Sequence, residues 1–358
     1  MRTLLSAFLC AALVAMATAS WAAGGQAIGP LHRISTIAIP GNPLEHFDIS
    51  GFSVGQNIYG FSDRSNHAVD LIQADGNRFV GRAAGFTGGP SGLAAVGDDQ
   101  FWAGDGDSKL RVIDIRARKI VATIDTGGKQ RVDELTYDGR DHEVIAANNR
   151  DRPPFVTFVS TAPDHRVVGR LSFPGATDGL EQPVWNPLDG LVYVAIPEFD
   201  HHRVDGGIAV VNPVTHRQVD VIHVRQCMPA GLALGPADRL LVGCSDDAIA
   251  AGFAPRSLIV DLHTRKVVAT IAQVGGSDEV WFDPGSRRYY LAAVANPHGP
   301  VLGVVDARRD AWIGNVPSGK SAHSVAVDPR TGHVFVPIAA GAKVDGCTRG
   351  CVEVFGSQ

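Results

Sequence analysis

Short apolar runs, rich in Val, Ile and aromatic residues, succeed one another along the chain, each closed by Gly, Asp, Asn or Pro. They are too short for helices and show no sustained 3.6-residue period, so they predict β-strands joined by tight turns. Four segments share one template: Asp133-Glu134-Leu135-Thr136-Tyr137-Asp138-Gly139, Glu181-Gln182-Pro183-Val184-Trp185-Asn186-Pro187, Asp278-Glu279-Val280-Trp281-Phe282-Asp283-Pro284 and His323-Ser324-Val325-Ala326-Val327-Asp328-Pro329. In each, a turn residue stands five positions after the first, and a β-branched or aromatic residue (Val144, Val192, Tyr289, Val334) follows six later. Weaker copies start at Asp48, Ser91 and Ala230, with Ser53, Val96 and Gly235 at the turn and Tyr59, Trp102 and Leu241 beyond it.

The leading positions 48, 91, 133, 181, 230, 278 and 323 are therefore 43, 42, 48, 49, 48 and 45 residues apart. Every repeat goes on to a third run, as in Val112-Ile113-Asp114, Val210-Val211-Asn212, Ile259-Val260-Asp261 and Val304-Val305-Asp306. A fourth follows, and Arg118-Lys119-Ile120-Val121-Ala122-Thr123-Ile124 nearly duplicates Arg265-Lys266-Val267-Val268-Ala269-Thr270-Ile271. Four strands in a unit of about 40–50 residues describe a propeller blade. The seventh repeat stops after its third run, Cys351-Val352-Glu353-Val354-Phe355, and residues 34–39 supply the missing strand. The expectation is all-β: one seven-bladed β-propeller over residues 24–358, its last blade closed by the N-terminal strand so that no edge is left unpaired.

Composition adds compartment and partners. The 358 residues are 45% hydrophobic, and the 19% that are charged fall below the ~25% of average proteins, which argues against disorder. A net charge of −5 without a basic block gives no electrostatic footprint for nucleic acid. Residues 1–23 read as a signal peptide: Arg2, an apolar stretch over 4–16, then small residues. That stretch is shorter than the ~20 residues of a membrane span, so the chain is expected to be periplasmic or secreted, without membrane insertion. In such a compartment the four later cysteines are expected to pair as Cys227–Cys244 and Cys347–Cys351. A four-thiolate zinc site is the rival reading, although no Cys-x-x-Cys occurs.

Candidate chemistry comes from the propeller geometry. The innermost strand of each blade lines the central channel, so the seven leading residues converge on one channel mouth. Asp and His at strand starts commonly just satisfy backbone donors. Four carboxylates (Asp48, Asp133, Glu181, Asp278) with His323 in one column are a different matter, because they would repel one another without a cation. Oxygen-rich ligation suits Ca²⁺ first, or Mg²⁺, and His323 admits Mn²⁺ or Zn²⁺. Glu134 and Glu279, next in sequence, are candidates for a general base, with His46 nearby. Polar connections at residues 63–67, 105–108, 148–151, 198–202, 246–247 and 296–298 are expected to rim the mouth. Tyr137, Trp185 and Trp281 are expected to pack between blades, and Asp114, Asn212, Asp261 and Asp306 to close turns. No Gly-x-Ser-x-Gly elbow, Cys-x-x-Cys-His or Gly-x-Gly-x-x-Gly is present.

The Val-Val-Asp and Asp-Pro turns of these repeats resemble the bacterial YVTN/YncE-like propellers over most of the chain. Glu181-x-Pro183-x-Trp185 also looks like the Glu-Gly-Pro-x-Trp opening of the gluconolactonase (senescence-marker-protein) propellers. There that Glu binds a divalent cation, a role the resemblance carries onto Glu181 alone. Two functions follow as expectations: a metal-dependent hydrolase or lactonase acting on a small molecule, or a non-catalytic propeller binding a small ligand or a protein partner.

Overall fold

The strands pair as the repeat dictates. The computed structural model describes residues 30–357, so the stretch read as an export signal lies outside the described residues. Seven four-stranded antiparallel sheets are present, and six of them use four strands consecutive in sequence. The leading strands are Phe47–Ser53, Pro90–Val96, Leu135–Asp138, Pro183–Trp185, Pro229–Leu234, Val280–Asp283 and Ala326–Val327. Each touches the leading strand of the next blade, and the last touches the first, which closes the ring. In blade 7 the outermost strand is Leu31–Ala38, paired antiparallel with Cys351–Ser357. This is the closure expected from the chain ends.

Both faces of every blade are covered, which explains runs that are apolar throughout rather than alternating. Alternate side chains of a strand point to opposite faces. Tyr289 accordingly packs toward blade 5, and Tyr290 toward blade 7. The buried residues fall into seven clusters, one at each junction between consecutive blades. Tyr137, Trp185 and Trp281 pack against these junctions as expected.

The turn residues act through their side chains. Asp138, Asn186, Asp283 and Asp328 each accept a hydrogen bond from the backbone N–H two residues on. At the end of third strands Asp114, Asn212 and Asp261 accept from the N–H three residues on, and Asp306 from those two and three residues on. Such local bonds fix a tight turn. Cys227–Cys244 and Cys347–Cys351 are bonded as disulfides, which is compatible with an oxidising compartment. Among the described residues no helix is long and apolar enough to cross a membrane.

Two local features were not foreseen. Asp246 and Asp247 open a short helix, Asp246–Ala250, rather than a plain loop. Ser245 caps it by accepting from Ala248 N–H, and the two acids sit at its positive end. In blades 2 and 5 the leading residue is followed by glycine. A side chain at Gly92 would overlap the carbonyl oxygen of Asp133, and one at Gly231 that of Asp278. These glycines let the Asp-Glu pairs of blades 3 and 6 come close to the neighbouring strand.

Candidate metal centre

Equivalent backbone pairing places the leading side chains in equivalent positions. In blade 3 Asp133 N–H donates to Ala147 O, and Glu134 O accepts from Ala147 N–H. Blade 4 repeats this with Glu181, Gln182 and Ala195. A cavity of about 140 Å³ results, lined by Asp48, Asp133, Glu134, Glu181 and Asp278 from four blades, with Arg131, Arg150 and the Asp246-Asp247 helix start. A second cavity of about 230 Å³ lies against the inner strands, and Glu134 and Ile49 line both. Of the other three leading residues, Ala230 lines the first cavity without a polar group, the Ser91 hydroxyl accepts from Arg64, and His323 stands beside Asp48.

Two sets of three residues bring ligand atoms within 4.8 Å of one another: Asp48, Asp278 and His323, and Glu134, Glu181 and Asp278. Asp278 belongs to both. Asp133, read as a ligand from sequence, is in neither set. Its carboxylate is held by Arg131 at 2.6 Å and by the Asn149 amide. Glu134, read as a base, stands among the ligands. His46 is exposed and does not line the cavity.

The position after the lead decides what the second acid of each pair does. Gln182 Oε1 accepts from Leu232 N–H of blade 5, at 2.7 Å. Glu279 Oε2 accepts from Val325 N–H of blade 7, at 2.8 Å, and from Ser324 Oγ at 2.5 Å and Ser50 N–H at 3.1 Å. Both are stitches between blades. Glu134 holds the same position in blade 3, and the matching residue of blade 4 is Pro183, which has no N–H to give. Glu134 is 2% exposed, and its Oε2 has no hydrogen-bond partner. A buried, unpaired carboxylate oxygen is costly, and a cation in the cavity would satisfy it.

Charge divides the collar into two halves. On one side Arg64 pairs with Asp48, and Arg131 with Asp133. These arginines correct the uncompensated acid ring expected from sequence. Burial pushes Asp48 up, but Arg64, His323 and Arg131 outweigh it and hold the carboxyl below its ordinary value. His323 stacks on Phe47 with ring centroids 4.7 Å apart. Its Nδ1 lies 2.7 Å from Ser321 O, which assigns the proton there, and its Nε2 lies 3.7 Å from Asp48. Against burial, Asp48 and Asp278 raise the imidazole pKa to about 9.

On the other side, no protein group among the described residues hydrogen-bonds the carboxylates of Glu181 and Asp278. Burial and the neighbouring acids push Glu134 and Glu181 well above the ordinary carboxylate range. Asp278 is raised to about 7, again chiefly by burial. Glu279 is raised to about 8 by burial despite its three donors.

The rim connections latch the crossovers between blades. Asp105 accepts from Thr87 and Gly88 N–H, Asp151 from Lys129 and Gln130 N–H, and Glu198 from Thr177 Oγ1. The Asp105-Gly106-Asp107 stretch is closed by Arg111, which reaches both acids.

No known protein family and no curated protein matches the sequence. Among solved structures, Kuenenia stuttgartiensis hydrazine synthase is similar, with a TM-score of 0.68 at 13% identity over 84% of this chain and 94% of that one. At that identity the likeness speaks for the propeller fold alone.

Proposed function

We propose that this chain is an exported propeller of the YVTN/YncE-like kind that binds one divalent cation at its axial mouth, and that the ion serves hydrolysis of a small ester or lactone. The observation that carries the reading is the buried, unpartnered Oε2 of Glu134 beside two further carboxylates without protein donors. Glu134, Glu181 and Asp278 would hold the ion, with Asp48 and His323 within reach through the shared Asp278. An oxygen-dominated set favours Ca²⁺. The ion supplies Lewis acidity toward an ester carbonyl and toward water. Glu134, through the carboxylate oxygen that the ion leaves free, would take the proton that water gives up. Arg131 and Arg150 present positive charge to an oxyanion at the same cavity.

Protein purified without chelators is expected to carry one divalent ion per chain by elemental analysis. Glu181→Gln removes a ligand and should weaken binding by more than the ~10–100-fold that outer-shell partners cost, with the β-type circular dichroism unchanged. Metal-free protein whose melting temperature ignores EDTA contradicts the reading. Metal-loaded protein that turns over no simple lactone retains the ion and loses the hydrolase assignment.

A further inference from the structure

A larger opening, about 590 Å³, adjoins the axial cavity, and Arg150 lines both. Its walls bring together Lys129, Arg150, Arg152 and Arg170, and Asp151 is the one carboxylate among the lining residues. That carboxylate is 8% exposed and is used by the backbone N–H groups of Lys129 and Gln130, at 2.8 and 3.3 Å. It therefore holds the loop bearing Lys129, and its single negative charge stands against four positive ones at the pocket. Arg152 donates to Thr177 O at 2.8 Å, and Arg170 Nε to Thr126 O at 2.6 Å. Carbonyl partners fix where these guanidiniums stand without cancelling their charge. Arg150 pairs with Asp178 at 3.4 Å. Among the described residues no carboxylate pairs with Lys129, Arg152 or Arg170. Phe155 and Pro153 give the pocket an apolar wall.

In a protein of net charge −5, such a concentration of positive charge beside an acidic collar is a local arrangement. We infer that this pocket binds the anionic group of a small, multiply charged molecule, a polycarboxylate or a phosphomonoester, and that Arg150 shares the ligand with the axial site. Guanidinium forks match carboxylate and phosphate oxygens alike. The volume suits a small molecule. Asp246 and Asp247 at the neighbouring cavity disfavour an extended polyanion lying across the mouth. The anion pocket stands on its own residues, and only the sharing of one ligand rests on the cation reading above.

The test uses the full chain, stripped of metal and dialysed free of chelator, titrated calorimetrically at low salt with citrate, with glucose 6-phosphate and with neutral glucose. Binding of at least one anion, weakened by added sodium chloride and absent for glucose, is expected, and the two anions separate carboxylate from phosphate recognition. The double variant Lys129→Gln/Arg152→Gln should bind about tenfold more weakly, the scale of losing two charged hydrogen-bond donors near the surface. Arg170→Gln provides a second reading at a separate position. A parent chain that takes up no divalent ion yet binds the anion counts against the cation reading alone. No anion binding, equal binding of glucose, or undiminished binding in both basic-residue variants overturns the inference.

Discussion

Replacing Glu279 by alanine is expected to destabilise the protein by about 3–5 kcal/mol, the scale of breaking a buried polar network on one side. The carboxylate ties blade 6 to blades 7 and 1 through Ser324, Val325 and Ser50, and Ser50 Oγ continues to Tyr59 at 2.8 Å. Alanine leaves two backbone N–H groups and a hydroxyl inside the ring with no acceptor. Glu279→Gln keeps an acceptor and should cost far less. Its sign also depends on pH. Burial raises Glu279 from 4.5 to about 8, so its contribution is fully present below about pH 4.5 and is lost as pH rises through 8. The glutamine variant should therefore match the parent best at alkaline pH. Urea midpoints at pH 6 and pH 9 check both statements. A general base would behave otherwise, with glutamine abolishing turnover and leaving the midpoint unmoved.

The second large effect is a loss of stability with pH that metal reverses. Asp278 rises from 3.8 to about 7, and burial and neighbouring acids hold Glu134 and Glu181 well above the ordinary carboxylate range. Carboxyls raised in the folded state stabilise it below their unfolded values, and that stability is lost as pH climbs through the folded ones. His323, raised to about 9, acts in the same direction, its contribution being lost as pH rises through 9. At 1.36 kcal/mol per unit, Asp278 alone is worth on the order of 4 kcal/mol between pH 4 and pH 8. Metal-free protein should therefore melt at progressively lower temperature from pH 5 to pH 8.5. Added Ca²⁺ should restore more at each step, because the ion competes with protons for the same oxygens. Asp278→Asn should flatten the metal-free profile and remove the rescue.

Much of the propeller was legible because its causes are local. Asp138, Asn186, Asp283 and Asp328 close turns within two residues of themselves. Strands buried on both faces read as unbroken apolar runs, and the shortfall in the seventh repeat pointed to the N-terminal strand. The site was legible only as a set of positions. Arg131, two residues ahead of its lead, and Arg64 and Arg150, inside connections read merely as polar, bring the guanidinium charge to the mouth. No spacing rule places a long side chain from a loop. The divergence of Glu134 from Glu279 is subtler: both follow an aspartate, and their roles part because Pro183 stands where Val325 stands in blade 7. Overlaying the repeats against the next blade, rather than against themselves, exposes this. The same comparison sets Gly92 and Gly231 beneath the two Asp-Glu pairs.

The most direct measurement is a calorimetric titration of metal-free protein with calcium chloride at pH 8, for the parent and for Glu134→Gln. One saturable ion per chain in the parent, with affinity lost in the variant while its fold persists, is the predicted result. A parent that takes up no stoichiometric calcium, magnesium, manganese or zinc would mean that the unpaired carboxylates simply hold protons, and the cation account would be wrong.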